Sequence, residues 1–252
     1  MPKSDMQINR PSARLLDGPD LLAETASELL YGESVTVLDT PAPSGWAKIR
    51  CETDSYEGFV ESSALGPLEH PHTHALTTLQ SHLYRTPDFK TPPVHSLSFL
   101  SRLTPTGEQQ SGFARLEKDL WIWAQDIAPL DAPPKSSPID TALRFLGTPY
   151  LWGGRTAWGI DCSALVQLAV LASGRPCPRD TKDQILHLGT DLGADKTHCQ
   201  RGDFVFFERH VGIMVDQHTV LNATARPMRT VLEPLEDLCA GYGGLLKIRR
   251  LV

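Results

Sequence analysis

The chain changes character at a Pro- and Ser-rich segment, residues 131–138, with the sequence DAPPKSSP. Before this segment, short runs alternate apolar and polar residues between turn-forming residues, a pattern typical of β-strands. After it, apolar residues recur at the spacing of helices, and further strand-like runs follow. At 252 residues, the chain is also longer than one ordinary domain. The sequence therefore predicts an all-β N-terminal part and a separate α+β C-terminal domain.

The all-β part contains two sets of strand-like runs. The first set covers residues 34–38, 46–50 and 56–60, and the second covers residues 82–84, 94–100, 112–116 and 120–124. Both sets end in a similar tail, residues 61–65 and 125–130, which indicates a diverged repeat of about 60 residues. We therefore predict two small β-barrels, over residues 10–68 and 75–130.

Three alternating histidines, His70, His72 and His74, lie between the two predicted barrels. Such a cluster is able to bind a transition metal. A solvated linker explains the same residues without a ligand, and we favour the linker. No metal and no cofactor are therefore expected.

The C-terminal domain is predicted over residues 137–252. Ser137 and Pro138 begin a helix that stops at Gly147, and a second, almost wholly apolar helix runs from about Cys162 to Gly174. A third helix covers residues 181–188, with Asp180 as its cap. Strand-like runs follow at residues 203–207, 211–215 and 219–223. Helices followed by an antiparallel sheet are typical of the papain-like layout.

Composition and charge argue against several classes of protein. Lys+Arg 24 against Asp+Glu 30 gives a net charge of -6, and no basic cluster is present, so no nucleic-acid partner is expected. No apolar run approaches the roughly 18 residues that span a bilayer, so no membrane partner is expected. The first residues carry no secretory signal pattern. We expect a cytoplasmic monomer, and a location in the cell envelope stays open.

The five cysteines are odd in number and form no C-x-x-C pair, which disfavours disulfides and a zinc site. Cys162 stands apart because a Gly-rich loop meets the apolar helix there. At a helix N-terminus the unpaired N–H groups stabilise a thiolate and can form an oxyanion hole. Cys162 is therefore a candidate nucleophile, although a buried structural thiol explains the position equally well. The other four cysteines, Cys51, Cys177, Cys199 and Cys239, are expected to be structural.

His210 is the candidate base for this thiol. It opens a strand-like run, and Asn222 follows 12 residues later, a spacing that suits two adjacent antiparallel strands. A base must return a proton to the leaving amine, and a third polar group must fix its tautomer. We therefore expect Asn222 to orient His210.

Four ordered motifs carry a resemblance to a known family. They are residues 145–154 (FLGTPYLWGG), 159–166 (GIDCSALV), 178–180 (PRD) and 201–214 (RGDFVFFERHVGIM). Together they resemble the NlpC-type family of papain-like cell-wall peptidases, several members of which carry bacterial SH3-like barrels. The resemblance implies a papain-like catalytic domain preceded by two SH3-like barrels. It also implies hydrolysis of murein stem peptides, often at the bond from γ-D-glutamate to the diamino acid.

The resemblance also assigns roles to residues. It places the nucleophile on Cys162, the base on His210 and the third polar residue on Asn222, where many members have histidine. Tyr150 matches a tyrosine that points toward the oxyanion hole in related enzymes. Asn222 is one departure from the family pattern, and the loss of a Gly before His210 is another.

Substrate recognition is implied in the same way. In cytoplasmic, barrel-bearing members, the residue matching Asp161 and a barrel tyrosine, here Tyr56, receive the free amine of L-Ala. Ser163 also flanks the nucleophile, and Arg179 is a candidate partner of the D-Glu carboxylate or else a solvated side chain. Related enzymes add a glutamate from the barrel, and the sequence leaves open whether Glu24 or Glu28 corresponds to it.

The leading hypothesis is a peptidase that cuts L-Ala-γ-D-Glu from murein-derived peptides, in peptide recycling. A non-catalytic wall-peptide-binding protein is the alternative from another class, favoured by the two departures from the family pattern. An amidase or acyltransferase on the same framework is a third possibility, because a thioester reacts with amines as well as with water.

Overall fold

The computed structural model describes residues 5–38, 41–132 and 136–251. The chain divides into two compact units, Met1–Pro134 and Lys135–Val252. The division falls inside the predicted Pro- and Ser-rich border, of which residues 133–135 lie outside the described residues. Within the described ranges, no helix is both long and apolar enough to cross a membrane.

The first module of the N-terminal unit is a seven-stranded antiparallel sheet with the order β3-β2-β6-β5-β4-β1-β7. Its strands are β1 (Asp5–Ile8), β2 (Ser12–Leu16), β3 (Thr25–Leu30), β4 (Ser34–Val37), β5 (Trp46–Cys51), β6 (Glu57–Glu61) and β7 (Leu65–Pro67). In β5, buried and half-buried residues alternate, as the sequence pattern predicts. The sequence analysis missed β2 and β3, because each ends in two or more consecutive buried residues and therefore lacks strict alternation.

The second module consists of three small antiparallel sheets. Its strands are β8 (His74–Leu76), β9 (Gln80–Leu83), β10 (His95–Ser98), β11 (Arg102–Leu103), β12 (Pro105–Gln110), β13 (Phe113–Leu116), β14 (Leu120–Trp123) and β15 (Ile127–Pro129). Each module ends in one turn of 3-10 helix, Ser62–Ala64 or Ala124–Asp126, followed by a short strand. That strand pairs with the first strand of its own module, β7 with β1 and β15 with β8. The two modules thus share the ending that the sequence indicates.

The histidine cluster is not a solvated linker throughout, contrary to expectation. His74 begins β8, and half-buried His72 lies between the Thr104 hydroxyl at 2.9 Å and the Gln7 amide oxygen at 2.6 Å. Burial lowers the pKa of His72 to about 4, so the ring is neutral at pH 7. Among the described residues, no group of three or more His, Cys, Asp or Glu side chains is placed to hold a metal ion.

The C-terminal unit is α+β. Its helices are α1 (Pro138–Leu143), α2 (Cys162–Ala172), α3 (Thr181–His187) and α4 (Leu235–Gly241). Its strands are β16 (Arg155–Thr156), β17 (Gly159–Ile160), β18 (Thr190–Asp191), β19 (Phe204–Phe207), β20 (His210–Met214), β21 (Thr219–Thr224), β22 (Arg229–Pro234) and β23 (Lys247–Arg250). Six strands form an antiparallel sheet with the order β18-β23-β19-β20-β21-β22, and β16 pairs with β17.

Helix α2 is the central helix of this unit. Its first nine residues, 162–170, are all buried, which explains why the sequence shows apolar residues on every face. The helix packs against β20 and β21 of the sheet. It ends just before Gly174, whose φ of 77° only glycine adopts at little cost. Helix α2 therefore packs on the strands that carry His210 and Asn222.

Candidate active site

Helix α2 begins at Cys162 because Asp161 caps it. Asp161 has extended backbone angles, and its Oδ1 accepts a hydrogen bond of 2.8 Å from the Ala164 N–H. The cap places the Cys162 sulfur at the helix N-terminus, where unpaired N–H groups face outward. The thiol is buried, with the residue 8% exposed. The structure therefore places Cys162 where the sequence predicts it.

Arg179 is buried beneath the same cap and is not a solvated side chain. Its Nη2 donates to Asp161 Oδ2 at 2.6 Å, and its Nη1 donates to Asp161 Oδ1 at 3.1 Å and to the Ser163 hydroxyl at 2.8 Å. The exposed fractions of the two charged side chains are 1% and 10%. This bidentate pair joins the segment before α3 to the start of α2.

Asp161 accepts two further hydrogen bonds besides those from Arg179 and the Ala164 N–H. The Gly153 N–H donates to Oδ2 at 3.0 Å, and the Ser163 hydroxyl donates to Oδ1 at 3.1 Å. A carboxylate offers about four lone-pair positions, and five donors already converge on this one. A substrate ammonium therefore reaches Asp161 only by displacing one of them.

Asp180 stands at the N-cap position of α3, but its side chain makes no capping hydrogen bond. The prediction of a side-chain cap was wrong. The carboxylate instead lies 3.4 Å from the ammonium of Lys182. Its backbone carbonyl still accepts the first helical hydrogen bonds, from the N–H groups of Asp183 and Gln184.

His210 and Asn222 meet across neighbouring strands, β20 and β21. The distance from His210 Nε2 to Asn222 Oδ1 is 2.9 Å, and both residues are buried. Because an amide oxygen only accepts, Nε2 carries the hydrogen, and Nδ1 is left as the ring nitrogen able to accept a proton. This is the tautomer that a general base for a thiol requires.

The thiol lies close to this strand. The backbone N–H of Val211, the residue after His210, donates a hydrogen bond to the Cys162 sulfur. On the other side, the Thr181 hydroxyl is 4.0 Å from the same sulfur. The sequence analysis did not single out Thr181, which directly follows the matched Pro-Arg-Asp motif.

Burial governs the charge of the candidate pair. It raises the pKa of the Cys162 thiol to about 11, and the negative charge of Asp161 acts in the same direction. Burial also lowers the pKa of His210 to about 4, against the opposing effect of its hydrogen bond to Asn222. The effect of burial on the pKa of the thiol is therefore larger than that of the helix N-terminus, which by itself favours a thiolate. The resting pair is a neutral thiol and a neutral imidazole at pH 7.

Tyr150 lies within electrostatic range of the thiol. Burial is the largest cause that raises its pKa, and a thiolate at Cys162 or the carboxylate of Asp161 acts in the same direction. The phenol therefore keeps its proton at any physiological pH and is able to donate a hydrogen bond.

A second layer of side chains lies behind His210, and the sequence analysis missed it. The Tyr242 ring stacks on the imidazole, with 4.4 Å between centroids and 8° between planes. Asn222 Nδ2 donates to Glu233 Oε2 at 2.9 Å, and Arg226 Nη2 donates to Glu233 Oε1 at 2.8 Å. No motif in the sequence points to these positions, because they come together only through the pairing of β21 with β22 and the return of α4.

The remaining predicted site residue, Tyr56, belongs to the N-terminal unit. It is half-buried and packs against the hydrophobic core of the first module. Glu28 is buried in β3, whereas Glu24 is exposed.

The five cysteines are free thiols, of which only Cys239 is more than slightly exposed.

An α+β unit with a buried thiol at a helix N-terminus, beside a His–Asn pair on an antiparallel sheet, defines the papain-like class of cysteine enzyme. Comparison with known proteins identifies the branch. Residues 147–236 match the NlpC/P60 family, and residues 15–65 match the bacterial dipeptidyl-peptidase Sh3 domain. The predicted fold class, a papain-like domain after SH3-like modules, is thus confirmed.

Individual proteins similar to this chain indicate the same family. The probable endopeptidase NlpC of Escherichia coli is 36% identical over 112 residues, covering 37% of this chain and 71% of that protein. The gamma-D-glutamyl-L-lysine dipeptidyl-peptidase of Bacillus subtilis is 26% identical over 220 residues, covering 78% of this chain and 71% of that protein. An NlpC/P60 family protein from Bacillus cereus shares the fold, with a TM-score of 0.84 and 20% identity over 98% of this chain and 99% of that chain. The chain belongs to the NlpC/P60 family of cysteine peptidases.

Proposed function

We propose that the protein hydrolyses the bond between γ-D-glutamate and the following diamino acid in murein-derived peptides whose N-terminal L-Ala is free. The observation that carries the proposal is the buried Cys162 thiol at the start of α2, next to the strand that begins with His210. The similarity to the Bacillus subtilis dipeptidyl-peptidase extends over 220 residues and therefore includes both units. That extent favours the dipeptidyl-peptidase activity over a wall endopeptidase.

In the first half of the reaction, the Cys162 sulfur attacks the γ-carbonyl carbon of D-Glu while its proton passes to His210 Nδ1. The carbonyl oxygen becomes an oxyanion, and we assign its stabilisation to N–H groups at the start of α2 and to the Tyr150 hydroxyl. The C–N bond then breaks, and His210 gives the proton to the leaving amine of the diamino acid. The product on the enzyme is a thioester.

In the second half, a water molecule loses a proton to His210 and attacks the thioester carbonyl. The C–S bond breaks, the thiol regains the proton from His210, and L-Ala-γ-D-Glu leaves with a new carboxylate. Because the resting thiol and imidazole are neutral, the proton transfer accompanies attack and does not precede substrate binding.

The family resemblance implies that Tyr56 and Asp161 select the free amine, and Ser163 and Arg179 hold Asp161 in place. The five donors on Asp161 make this a demanding role, since an ammonium must replace one of them. Peptides with a free amine are products of prior trimming, so this selectivity fits peptide recycling in the cytoplasm. Intact wall glycan, whose stem peptides have blocked amines, is then a poor substrate.

The test is hydrolysis of L-Ala-γ-D-Glu-diaminopimelate, L-Ala-γ-D-Glu-L-Lys and their N-acetylated forms, followed by mass spectrometry. We expect N-acetylation to lower kcat/KM by about 30-fold to several thousand-fold, as for the loss of a buried charge partner worth about 2–5 kcal/mol. Tyr56→Phe removes one hydrogen bond and should cost about 0.5–1.5 kcal/mol. Cys162→Ala is the inactive control. Equal cleavage of free and acetylated peptide, or release of peptides from intact sacculi, contradicts the proposal.

A further inference from the structure

We infer that Glu233 is a positioning residue that selects the active tautomer of His210 by fixing which way the Asn222 amide points. The inference deepens the proposed function, because it rests on His210 acting as the base. It concerns a side chain on β22 that lies two hydrogen bonds away from the imidazole.

The argument begins with an ambiguity of asparagine. An amide presents an oxygen that accepts and an NH2 group that donates, and the two are nearly equal in size. If the Asn222 amide turned over, its NH2 would face His210 Nε2, which would then have to be unprotonated. The hydrogen would move to Nδ1, and the ring would have no free nitrogen to take the proton of the thiol.

Glu233 removes this ambiguity. An ionised carboxylate only accepts, so the atom that faces it at 2.9 Å must be the Asn222 nitrogen. The Asn222 oxygen then faces His210 Nε2 at 2.9 Å, and Nε2 must be protonated. Each step follows from the donor or acceptor character of the previous group.

Arg226 lies on the other side of Glu233 and donates to its second oxygen at 2.8 Å. The Glu233 side chain is 20% exposed, whereas Asn222 is fully buried. The guanidinium of Arg226 also lies 5.3 Å from the centre of the Tyr242 ring, which stacks on His210. One arginine thus contacts both Glu233 and Tyr242.

The decisive variant replaces the acceptor with a donor. In Glu233→Lys the ammonium can only donate, so Asn222 must present its oxygen to Lys and its NH2 to His210. We expect kcat to fall on the order of 100-fold or more with KM little changed, as for a triad histidine held in the wrong tautomer. Glu233→Gln can accept or donate and should lose about 2- to 10-fold.

Rescue tests the orientation directly. Asn222→Asp presents an acceptor to both neighbours, so the double variant Asn222→Asp/Glu233→Lys no longer depends on how the residue is turned. It should recover most of the kcat that Glu233→Lys loses. Glu208→Lys makes the same change of charge at an exposed position two residues before His210 and should leave kcat unchanged.

The second readout needs no substrate. Two-bond nitrogen NMR of protein labelled with 15N-histidine reports which ring nitrogen is protonated, and His210→Gln assigns the signal. We expect Nε2–H in the native protein, Nδ1–H in Glu233→Lys, a mixture in Glu233→Gln and Nε2–H again in the double variant. If Glu233→Lys does not fold, the mixture of tautomers expected in Glu233→Gln tests the inference in its place.

Two results overturn the inference. The first is a ring protonated at Nε2 in folded Glu233→Lys, or protonated only at Nε2 in Glu233→Gln. The second is that Asn222→Asp fails to restore kcat in a folded double variant. Failure of the proposed function looks different. In that case the native protein leaves the murein peptides intact, while the NMR tautomers still follow the charge at position 233.

Discussion

The buried ion pair between Asp161 and Arg179 makes a quantitative prediction about the nucleophile helix. Arg179→Met keeps much of the side-chain volume but removes the guanidinium that donates to both oxygens of the buried Asp161 carboxylate. Breaking one side of a buried pair costs about 3–5 kcal/mol. Three other donors stay on the carboxylate, from Gly153, Ser163 and Ala164, so we expect the lower end, about 3 kcal/mol.

The assay is native-state hydrogen exchange followed by mass spectrometry on peptides from α2, with peptides of the N-terminal unit as an internal reference. A loss of about 3 kcal/mol accelerates the slowest α2 amides by roughly 150-fold. Asp161→Asn/Arg179→Met removes both charges and should cost clearly less than the sum of the two single variants.

A matched control is available on the surface. Lys196 and Glu236 are also 2.6 Å apart, but their side chains are 48% and 70% exposed. Lys196→Met should leave exchange in α2 unchanged, because solvent screens an exposed pair. Unchanged exchange in Arg179→Met, or strict additivity in the double variant, refutes the view that burial makes this pair essential to the start of α2.

Two further predictions concern the base strand. The kcat/KM profile should show no acid limb above about pH 5, because burial lowers the pKa of His210 to about 4. On the basic side it should fall near pH 8, where the α-amine of the substrate loses its charge, and not with Cys162, whose pKa burial raises to about 11. An acid limb near the ordinary histidine pKa contradicts this. Arg209, in the turn before His210, has a φ of 56° that favours glycine, so Arg209→Gly should raise the free energy of unfolding by about 0.5–1 kcal/mol with unchanged kcat. A lower urea midpoint for Arg209→Gly shows that its side chain has a stabilising contact instead.

The turn at Arg209 also bears on the alternative of a non-catalytic binding protein. The loss of a glycine before His210 is one of its two supports, but the backbone takes the left-handed conformation without one. The other support is that Asn222 stands where many family members have histidine. Its amide oxygen nevertheless accepts a 2.9 Å hydrogen bond from His210. Both departures therefore leave the turn before His210 and the hydrogen bond from His210 to Asn222 in place.

Much of the fold follows from local sequence. Strands β4, β5, β6 and β13 correspond to alternating runs, and α1 begins at Pro138 because Ser137 accepts a hydrogen bond from the Asp140 N–H. The structure also describes two points at which the sequence analysis failed. The Asp180 side chain makes no capping hydrogen bond to α3 and lies 3.4 Å from Lys182, and β3 was missed because its last four residues are all buried.

The sequence by itself determined the two-part architecture, the start of α2 at Cys162 and the position of His210 and Asn222 on adjacent strands, because each depends on periodicity, capping or spacing within a short stretch of chain. Only the tertiary structure decided that Arg179 is buried against Asp161, that burial keeps the Cys162–His210 pair neutral, and that Glu233 and Tyr242 support the imidazole. These features depend on strand register and on desolvation by distant segments, and neither is encoded in any local pattern.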